Sequence, residues 1–401
     1  MRVALVHDWL ISNRGGEKVL EAICELFPDA DVFTLLHKPG TVSPVIEQHR
    51  IHTSFVQELP GALERHRHFL PLFPAAIERF DLSGYDLVLS SSHCVAKGVR
   101  VPEGALHLSY VHAPMRYMWD LFDDYFGPGK ASPSVRVAAR ALRPALRAWD
   151  RRSARSVHRF VANSHHIARK VARLYGRHAE VVHPPVELER FVGVSQQGGG
   201  AGGYFLWVGA LAPYKRIDLA LEAFRRTGLP LWIAGGGQEA ARLARELPPN
   251  VRWLGQVPDA ELPELYRNAR ALIFPGEEDF GITPLEAQAT GRPVIALARG
   301  GALETVTPET GILFDSQTVE SLVAALGRFD AFEARFDPQT ARVNAARFSK
   351  PAFQRAFLAQ VETLLDGPAT VQGIATPMSR IGAGQLRSAG DPAGRSREAL
   401  R

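Results

Sequence analysis

The sequence predicts an α/β protein built from two doubly wound, Rossmann-like parallel sheets that face each other across a cleft. Short apolar segments alternate with amphipathic helical segments in both halves, which is typical of parallel sheets covered on both faces. At 401 residues the chain is too long for one ordinary core. A glycine-rich stretch, 195–203, separates the halves and is typical of a flexible linker.

The predicted strands follow one another regularly along the chain. In the first half they are 3–7, 32–36, 87–90, 106–111, 160–162 and 180–183, and in the second 204–208, 231–234, 251–254, 271–274, 294–296 and 312–314. We therefore expect two domains, an N-terminal one over 1–195 and a C-terminal one over 196–350. A helix over 351–367 is expected to pack back on the N-terminal domain, and 368–401 is expected to be a disordered tail.

The composition is that of an ordinary globular protein. Charged residues make up 22% and hydrophobic residues 46% of the chain, and no apolar run approaches the roughly 18 to 20 residues that span a bilayer. Residues 1–7 are interpreted as a first strand and not as a signal sequence. Cys24 and Cys94 provide neither a disulfide framework nor zinc-ligand spacing, so we expect both to be buried in a protein of the reducing cytoplasm.

The net charge of +5 lies entirely in the first half, where residues 1–195 carry 25 Lys and Arg against 20 Asp and Glu. Arginines recur there at spacings of three and four, which predicts a basic stripe on one helical face that Pro144 can kink. They are Arg136, Arg140, Arg143, Arg147, Arg151, Arg155 and Arg159. The stripe indicates either an anionic membrane surface as partner or a solvated helix face. Nucleic acid is not expected, because no recognition motif for it is found.

The most informative segment runs from Glu278 to Glu286 and reads Glu-Asp-Phe-Gly-Ile-Thr-Pro-Leu-Glu. An apolar strand precedes it, and a helix is predicted to follow, with Thr283 as N-cap and Pro284 in the first turn. Strand-to-helix turns line the ligand crevice of open α/β sheets, and the free N–H groups of the helix start favour an anion. Acids beside such a turn can bind sugar hydroxyls while the amides bind phosphate. The alternative interpretation is a solvated acidic loop over 277–279.

Two further strand-to-helix turns carry glycines and cations. After the first strand, Gly15 and Gly16 open a helix, where backbone can approach a phosphate closely; the alternative is an ordinary tight turn. After strand 204–208, Gly209 leads to Lys215 and Arg216 at a helix start. Cations there oppose the helix dipole, which favours a role in binding a diphosphate.

Histidines follow two of the predicted strands in the first half. His112 lies in a segment, 110–120, that also contains arginine and several aromatic residues. Its place at the carboxyl end of a strand makes it a candidate for binding the transferred sugar or the acceptor, although a lone histidine is more often structural. His93 has the same relation to another strand. The pair His165 and His166 has no metal-ligand spacing and is predicted to begin a helix.

Together these segments resemble family 4 glycosyltransferases, which are retaining, nucleotide-sugar-dependent enzymes with the two-domain GT-B fold. The resemblance follows the family's order through most of the chain. It comprises the glycine loop, Gly209, Lys215-Arg216, the Gly235-Gly236-Gly237 turn, Leu254-Gly255-Gln256-Val257, the two-glutamate segment and Gly300-Gly301.

The resemblance implies that 1–195 is the acceptor-side domain and 196–350 the donor domain, and it implies roles for individual residues. Glu286 would hold the nucleotide ribose, Glu278 would contact hydroxyls of the transferred sugar, and Lys215 with Arg216 would neutralise the diphosphate. Glu278, His112 and Lys215 form the implied catalytic group. The remaining implied donor-site residues are Gly15, Gly16, Gly209, Val257 beside the nucleobase, Phe280, and Gly281, Ile282 and Thr283 with their amides. One departure is Ala210, since many relatives have arginine there, and Arg216 could replace it.

The predicted activity is transfer of a hexosyl unit, with retention and without a metal ion or other cofactor, to a glycan or lipid-linked acceptor in surface glycan biosynthesis. Resemblance to bacterial polysaccharide mannosyltransferases, in the Val-His-Asp-Trp opening and over 112–119, favours GDP-mannose. A UDP-hexose is the alternative donor. A nucleotide-sugar epimerase, a phosphorylase and a non-catalytic sugar-nucleotide-binding protein are the alternative functions. We expect the protein in the cytoplasm, peripherally attached to the inner face of the membrane.

Overall fold

The computed structural model describes residues 1–192, 203–237, 240, 244–245 and 247–367. Within them the chain forms two parallel sheets, one before residue 192 and the other after residue 203. Met1–Leu365 form one compact unit that contains both sheets. The predicted class, two doubly wound parallel sheets, is confirmed.

The N-terminal sheet has seven strands. They are β1 (Val3–His7), β2 (Asp31–Thr34), β3 (Ile51–Thr53), β4 (Leu87–Ser92), β5 (Leu106–Val111), β6 (Arg159–Ala162) and β7 (Ala179–Val181). All neighbouring strands are parallel, in the spatial order β3-β2-β1-β4-β5-β6-β7. The order reverses between β1 and β4, and at such a switch point the loops after the two strands diverge and leave a crevice.

The helices of this half cover both faces of the sheet. They are α1 (Gly15–Leu26), α2 (Pro44–Glu47), α3 (Ala62–Arg65), α4 (Phe73–Ile77), α5 (Phe122–Phe126), α6 (Pro133–Ser153), α7 (His165–Tyr175) and α8 (Glu189–Val192). Ala4 and Val6 on β1 belong to one buried cluster, whereas Val3 and Leu5 belong to another. Alternate residues of a strand point to opposite faces, so both faces of this sheet are packed.

The C-terminal sheet has six parallel strands. They are β8 (Phe205–Val208), β9 (Leu231–Ala234), β10 (Val251–Gly255), β11 (Leu272–Phe274), β12 (Val294–Leu297) and β13 (Gly311–Phe314). Their order is β10-β9-β8-β11-β12-β13, so the switch point lies between β8 and β11. The helices are α9 (Ile217–Thr227), α10 (Leu262–Asn268), α11 (Thr283–Ala289), α12 (Ala302–Thr305), α13 (Val319–Gly327), α14 (Phe329–Glu333), α15 (Pro338–Ala346) and α16 (Lys350–Asp366).

Helix α16 packs against the N-terminal sheet. Phe353 and Phe357 lie in the same buried cluster as Leu5 of β1. Lys350 Nζ lies 2.9 Å from a carboxylate oxygen of Glu25 on α1. The chain therefore returns to its first half after it has completed the second sheet.

Two parts of the predicted organisation lie outside the described residues, namely the boundary between 195 and 196 and the tail over 368–401. The domain limits therefore stay predictions. All the predicted strands are present with ends shifted by up to two residues, and β3 was not predicted. It is a short edge strand of half-buried and exposed residues, so it lacks the apolar run by which the others were recognised.

The predicted arginine stripe does not run along one helix, which corrects the sequence interpretation. Helix α6 continues through Pro144 but ends at Ser153. Arg155 lies in the following 3₁₀ turn, and Arg159 lies in β6, where its guanidinium donates to Gln360 Oε1 at 2.7 and 2.9 Å. The last two members of the stripe therefore belong to other elements.

Two arginines in the middle of the stripe are bound within the protein. Arg143 Nε and Arg147 Nε donate to the carbonyl oxygen of Met118 at 3.0 and 2.8 Å. Their guanidinium carbons lie 4.0 Å above the ring of Phe122 and 4.5 Å above that of Trp119, respectively. These two side chains fix the loop after β5 and do not form a free basic face.

Candidate active site

Both switch points open onto one cavity of about 1690 Å³. Loops after β1, β4 and β5 line it on the N-terminal side, and loops after β8 and β11 line it on the C-terminal side. The predicted site residues that line it are Gly15, Gly16, His112, Lys215, Arg216, Glu278, Phe280, Gly281, Ile282 and Thr283. Of the other predicted residues, Gly209, Val257 and Glu286 do not line it.

The glycine loop touches the opposite side of the cavity. Helix α1 begins at Gly15, and the first N–H groups of a helix have no intrahelical acceptor and favour an anion. A Cβ on Gly15 would lie 2.9 Å from Ile282 Cδ1, and one on Gly16 would lie 3.7 Å from Cε1 of His7. A side chain at residue 15 would therefore require the end of the Ile282 side chain to shift.

His112 is a buried, neutral imidazole at the end of β5. Its Nε2 lies 2.8 Å from Ser91 Oγ, and its carbonyl oxygen accepts a hydrogen bond from Asn163 Nδ2 at 3.0 Å. Burial, helped by the neighbouring His93, lowers the pKa of His112 well below its usual value. The ring is uncharged at neutral pH, so it can exchange hydrogen bonds with hydroxyl groups.

Asp8, directly after β1, organises the loop that carries His93. The amide N–H groups of residues 93–96 donate to its buried carboxylate at 2.6 to 2.9 Å. His93 Nδ1 lies 3.1 Å from Asp8 Oδ2, and its ring meets that of Trp9 edge to face. Burial lowers the pKa of His93 even though the carboxylate opposes this. Asp8 was not singled out from the sequence, although its place at the end of the first strand was a usable signal.

Lys215 and Glu278, which were predicted to bind different parts of a donor, are hydrogen-bonded to each other. Lys215 Nζ donates to Glu278 Oε1 at 2.6 Å. Burial disfavours the charged lysine, but the carboxylate outweighs it and raises the pKa of Lys215. The pair links the turn after β8 to the loop after β11, the two sides of the C-terminal switch point.

Arg216 has an unusual backbone for a residue other than glycine. Its φ is +52°, in the left-handed region, and within the described residues no other non-glycine residue has a positive φ. The guanidinium donates through two nitrogens to Asp218, at 3.0 Å, and through Nη1 to Gln317 Oε1 at 3.1 Å. These contacts hold a cation at the cavity wall beside the exposed Ala210.

Contacts within the C-terminal half fix part of the loop over 278–282. The Gly301 N–H donates to the carbonyl oxygen of Glu278 at 2.9 Å. Phe280 is buried, and its ring centroid lies 5.7 Å from that of Phe348. Gly281 has a φ of +87°, which favours glycine at the turn. The loop therefore enters helix α11 in a defined conformation.

The N-cap of α11 is Ile282 and not Thr283, which corrects the prediction by one residue. The carbonyl oxygen of Ile282 accepts from the N–H groups of Leu285 and Glu286 at 2.9 and 3.1 Å. Thr283 is the first helical residue, and its hydroxyl makes no capping bond. Gly281 gives the chain its turn one residue earlier than the threonine pattern suggested.

Asp279 contradicts the alternative of a solvated acidic loop. Its carboxylate lies 2.8 Å from Arg116 Nη2 and 3.1 Å from Lys170 Nζ, and its side chain is largely buried. Both cations come from the N-terminal half, and α7, which carries Lys170, begins at His165 as predicted. Sequence reasoning missed this role, because pairing across two domains leaves no local pattern.

Three predicted site residues, Gly209, Val257 and Glu286, do not line the cavity. Tyr266 Oη donates to Glu286 Oε2 at 2.7 Å, and burial raises the pKa of Glu286. Gly209 has a φ of +155°, and a Cβ there would lie 3.2 Å from Lys215 Nζ. Val257 is half-buried beyond the end of β10.

Neither a metal cluster nor a membrane span is found in the part of the chain that the structure describes. No group of three His, Cys, Asp or Glu side chains is arranged there to hold a metal ion. The one Asp-x-Asp pair of the sequence, Asp29 and Asp31, lies before and at the start of β2, at the edge of the sheet away from the cavity. No described helix is both long and apolar enough to cross a bilayer.

Family models match both halves of the chain. Residues 14–190 match the model described as Glycosyltransferase Family 4, and residues 200–330 match Glycosyl transferases group 1. The chain belongs to glycosyltransferase family 4. The predicted resemblance is thereby confirmed, and the two matches fall on the two halves that supply the cavity walls.

Curated relatives share parts of this sequence. O-antigen chain mannosyltransferase C of Escherichia coli is 32% identical over 132 residues, which are 31% of this chain and 36% of that protein. GDP-mannose-dependent alpha-mannosyltransferase of Mycolicibacterium smegmatis is 35% identical over 144 residues, 35% of this chain and 38% of the relative. The matched part is therefore well under half of either relative's length.

Solved structures show the same fold over nearly the whole chain. HepE of Anabaena, solved in complex with UDP-glucose, superposes with a TM-score of 0.64 at 16% identity, covering 90% of this chain and 100% of HepE. The GT-B architecture predicted from the sequence is confirmed.

Proposed function

We propose that this protein is a retaining hexosyltransferase that takes a sugar from a nucleoside diphosphate donor. The observation that carries the proposal is the cavity at which the two switch points meet. One side supplies a helix start with Gly15 and Gly16 and the neutral His112, and the other supplies Lys215, Arg216 and Glu278. Cations and free helix N–H groups suit a diphosphate, whereas uncharged hydrogen-bonding groups suit sugar hydroxyls.

Negative charge develops as the diphosphate departs, and we assign mainly residues of the C-terminal side to stabilise it. Lys215 and Arg216, together with the first N–H groups of α1 across the cavity, are the groups we assign to stabilise it without a metal ion. Glu278 is assigned to the sugar hydroxyls and not to nucleophilic attack, because Lys215 already holds its carboxylate at 2.6 Å. Retention by same-face attack, with the leaving phosphate accepting the proton of the acceptor, is proposed from family membership.

GDP-mannose is the proposed donor. The relatives from E. coli and M. smegmatis are both named as mannosyltransferases, and the name of the second specifies GDP-mannose. A UDP-hexose is the alternative, because HepE, which has the same fold, was solved with UDP-glucose. We assign Glu286 to the ribose and Val257 to the neighbourhood of the base, with Gly209 giving space beside Lys215.

The proposed acceptor is a lipid-linked or polysaccharide glycan, as the name of the O-antigen relative suggests. We propose that the protein works in the cytoplasm at the inner face of the membrane. Arg140, which is exposed on α6, remains a candidate for contact with anionic lipid. So do Arg136, which is half-buried, and the exposed Arg151, whose Nε also donates to the carbonyl oxygen of Leu174 at 3.3 Å. Binding to vesicles that is independent of anionic lipid content and of salt would contradict this attachment.

One experiment tests the donor and the chemistry together. Purified protein is incubated with GDP-mannose or a UDP-hexose, with and without EDTA, in the presence of a membrane lipid extract, and nucleotide release and labelled glycolipid are followed. We expect transfer from GDP-mannose that EDTA does not abolish. Strict dependence on a divalent ion would contradict the metal-free mechanism, and conversion of the donor without transfer would favour an epimerase.

The ribose assignment has its own test. Glu286→Ala should weaken binding of GDP or UDP by about 1.5 to 3 kcal/mol, because it removes a charged hydrogen bond. Unchanged nucleotide affinity, measured by calorimetry, would contradict the assignment.

A further inference from the structure

Asp279 belongs to the C-terminal half by its position in the chain, but its side chain contacts the N-terminal half. Arg116 Nη2 lies 2.8 Å from Oδ2, and Lys170 Nζ lies 3.1 Å from Oδ1. Arg116 follows β5 and Lys170 lies on α7. Each carboxylate oxygen of Asp279 is therefore paired with a cation from the N-terminal side of the cavity.

The three charged groups are shielded from solvent. Side-chain exposure is 14% for Asp279, 18% for Lys170 and 29% for Arg116. Burial opposes ionisation of Asp279, but Arg116 and Lys170 outweigh it and lower the pKa of the carboxyl. Breaking such a pair leaves an uncompensated buried charge, which costs far more than losing a pair at the surface.

A second contact holds the same residue through its backbone. Ser164 Oγ donates to the carbonyl oxygen of Asp279 at 2.6 Å, and Ser164 also caps α7. The preceding carbonyl oxygen, that of Glu278, accepts from Gly301 within the C-terminal half at 2.9 Å. The carbonyl oxygen of Glu278 is therefore held by the C-terminal half, and the carbonyl oxygen of Asp279 is held by the N-terminal half.

The contact joins the two loops on which the proposed reaction depends. Glu278, the neighbour of Asp279, pairs with Lys215 at the C-terminal switch point. Arg116 lies four residues after His112 in the loop that follows β5. The Asp279–Arg116 pair is thus a direct link between the loop of Glu278 and the loop of His112.

We propose that Asp279 is a positioning residue, which uses its pairs with Arg116 and Lys170 to hold Glu278 in register with the His112 side of the cavity. The inference rests on the proposed function, because it assigns Glu278 and His112 to the same reaction. It adds a residue that acts through others. A displacement of about 1 Å between reacting groups can cost about 100-fold in rate, so the link need not touch the donor to matter.

Asp279→Asn tests the proposal, with Glu277→Gln as the matched control. Glu277 lies two residues away in the same loop, but its side chain is 43% exposed and its contact is His166 Nε2 at 3.8 Å. Turnover is followed as nucleotide release from GDP-mannose or UDP-glucose with a membrane lipid extract, and affinity for GDP and UDP is measured by calorimetry.

We expect Asp279→Asn to lower kcat by about 100-fold while the donor KM and the nucleotide affinity stay within about threefold. Asp279→Glu should recover part of the rate, and Glu277→Gln should match the wild type. A wild-type rate in Asp279→Asn would overturn the proposal. So would a loss of nucleotide affinity as large as the loss of rate, because Asp279 would then act on donor binding.

Two further measurements keep the outcome decisive. If Asp279→Asn does not fold, Lys170→Met removes one of the two cations of Asp279, and with it the pair of Lys170 with Asp120 at 3.3 Å. It should lower kcat by about tenfold without changing nucleotide affinity, and an unchanged rate would overturn the proposal. The His165 and His166 amides donate to Glu304 across the same interface, at 2.9 and 3.1 Å. Their hydrogen exchange should quicken in Asp279→Asn and not in Glu277→Gln.

The exchange measurement needs no turnover. If the wild type releases nucleotide from no donor, the proposed function fails, and the exchange rates still show whether Asp279 links the two halves. Equal exchange at residues 165 and 166 in wild type and Asp279→Asn would then overturn the proposal.

Discussion

The two switch points of this protein are built from opposite kinds of chemistry. On the N-terminal side, Asp8 is saturated by backbone amides and the histidines around it are buried and neutral. On the C-terminal side, Lys215 pairs with Glu278 and Arg216 pairs with Asp218. Under the proposed function, Lys215 and Arg216 bind the diphosphate together with the first N–H groups of α1, and the neutral histidines lie on the side of the sugar or the acceptor. We infer that the two switch points carry different side chains because they bind different parts of one substrate.

The largest expected effect is loss of the Asp8 carboxylate. Asp8→Asn replaces one acceptor oxygen with a donor group among four amide N–H donors, and it should lower the free energy of unfolding by about 3 to 5 kcal/mol. Urea unfolding measures it. Asp81→Asn is the control, because Asp81 is exposed and accepts hydrogen bonds only locally, from the amide and the side chain of Ser83. Similar destabilisation by both variants would contradict the structural role of Asp8.

Loss of the lysine charge should come next and should act on rate. Lys215→Ala leaves the Glu278 carboxylate without its partner and removes a cation from the diphosphate, so kcat should fall by about 100-fold. Steady-state release of nucleotide measures it. Lys215→Arg keeps the charge and should retain more activity than the alanine variant. A fall of less than about threefold would show that the charge of Lys215 is not used.

A smaller effect on stability is expected when the pH is lowered, because His7 on the N-terminal side is buried and neutral. Burial lowers the pKa of His7 to about 3, so below pH 6.5 the unfolded chain binds a proton there that the native protein does not. Stability from this group is therefore complete above about pH 6.5 and declines as the pH falls towards 3.

His7→Phe should remove that decline. Between pH 7 and pH 5 the variant should lose about 2 kcal/mol less stability than the wild type, as measured by urea unfolding at both pH values. His178→Gln, at an exposed histidine, is the control. If His7→Phe keeps the wild-type pH dependence, as the control should, burial of a neutral His7 is not the cause of the loss of stability at low pH.

The smallest effect on stability is expected at Arg216. Arg216→Gly relieves the left-handed backbone but adds freedom to the unfolded chain and removes the pair with Asp218, so the free energy of unfolding should change by less than about 1 kcal/mol. The donor KM should nevertheless rise, by about tenfold, because a diphosphate cation is lost. A stability loss without a change in KM would mean that Arg216 serves the fold and not the donor.

Local patterns predicted the parts of this protein that depend on local interactions. The buried strands were found because apolar runs with β-branched residues stand out, and β3 was missed because it is short and half-exposed. The helix start at Thr283 was misplaced by one residue, since Gly281 sets the turn. Gly15, Gly16, His112, Lys215 and Glu278 line one cavity, because they follow parallel strands whose ends share an edge, whereas Glu286 does not line it.

Contacts between distant segments could not be predicted in this way. Asp279 pairs with two cations that come more than a hundred residues earlier in the chain, and no periodicity marks such a partner. The arginine stripe failed for the same reason, since the loop that Arg143 and Arg147 bind lies outside their helix. Charge spacing shows which residues share a face, and only the fold shows what covers that face.

Calorimetric titration of GDP and UDP into the wild type, Lys215→Ala and His112→Phe tests the division between the two switch points most directly. We expect Lys215→Ala to weaken the tighter-binding nucleotide by at least about tenfold, because a charged contact to the diphosphate is lost, while His112→Phe leaves it within about threefold. Equal weakening by both variants, or loss in His112→Phe alone, would contradict the assignment of the diphosphate to the charged C-terminal side.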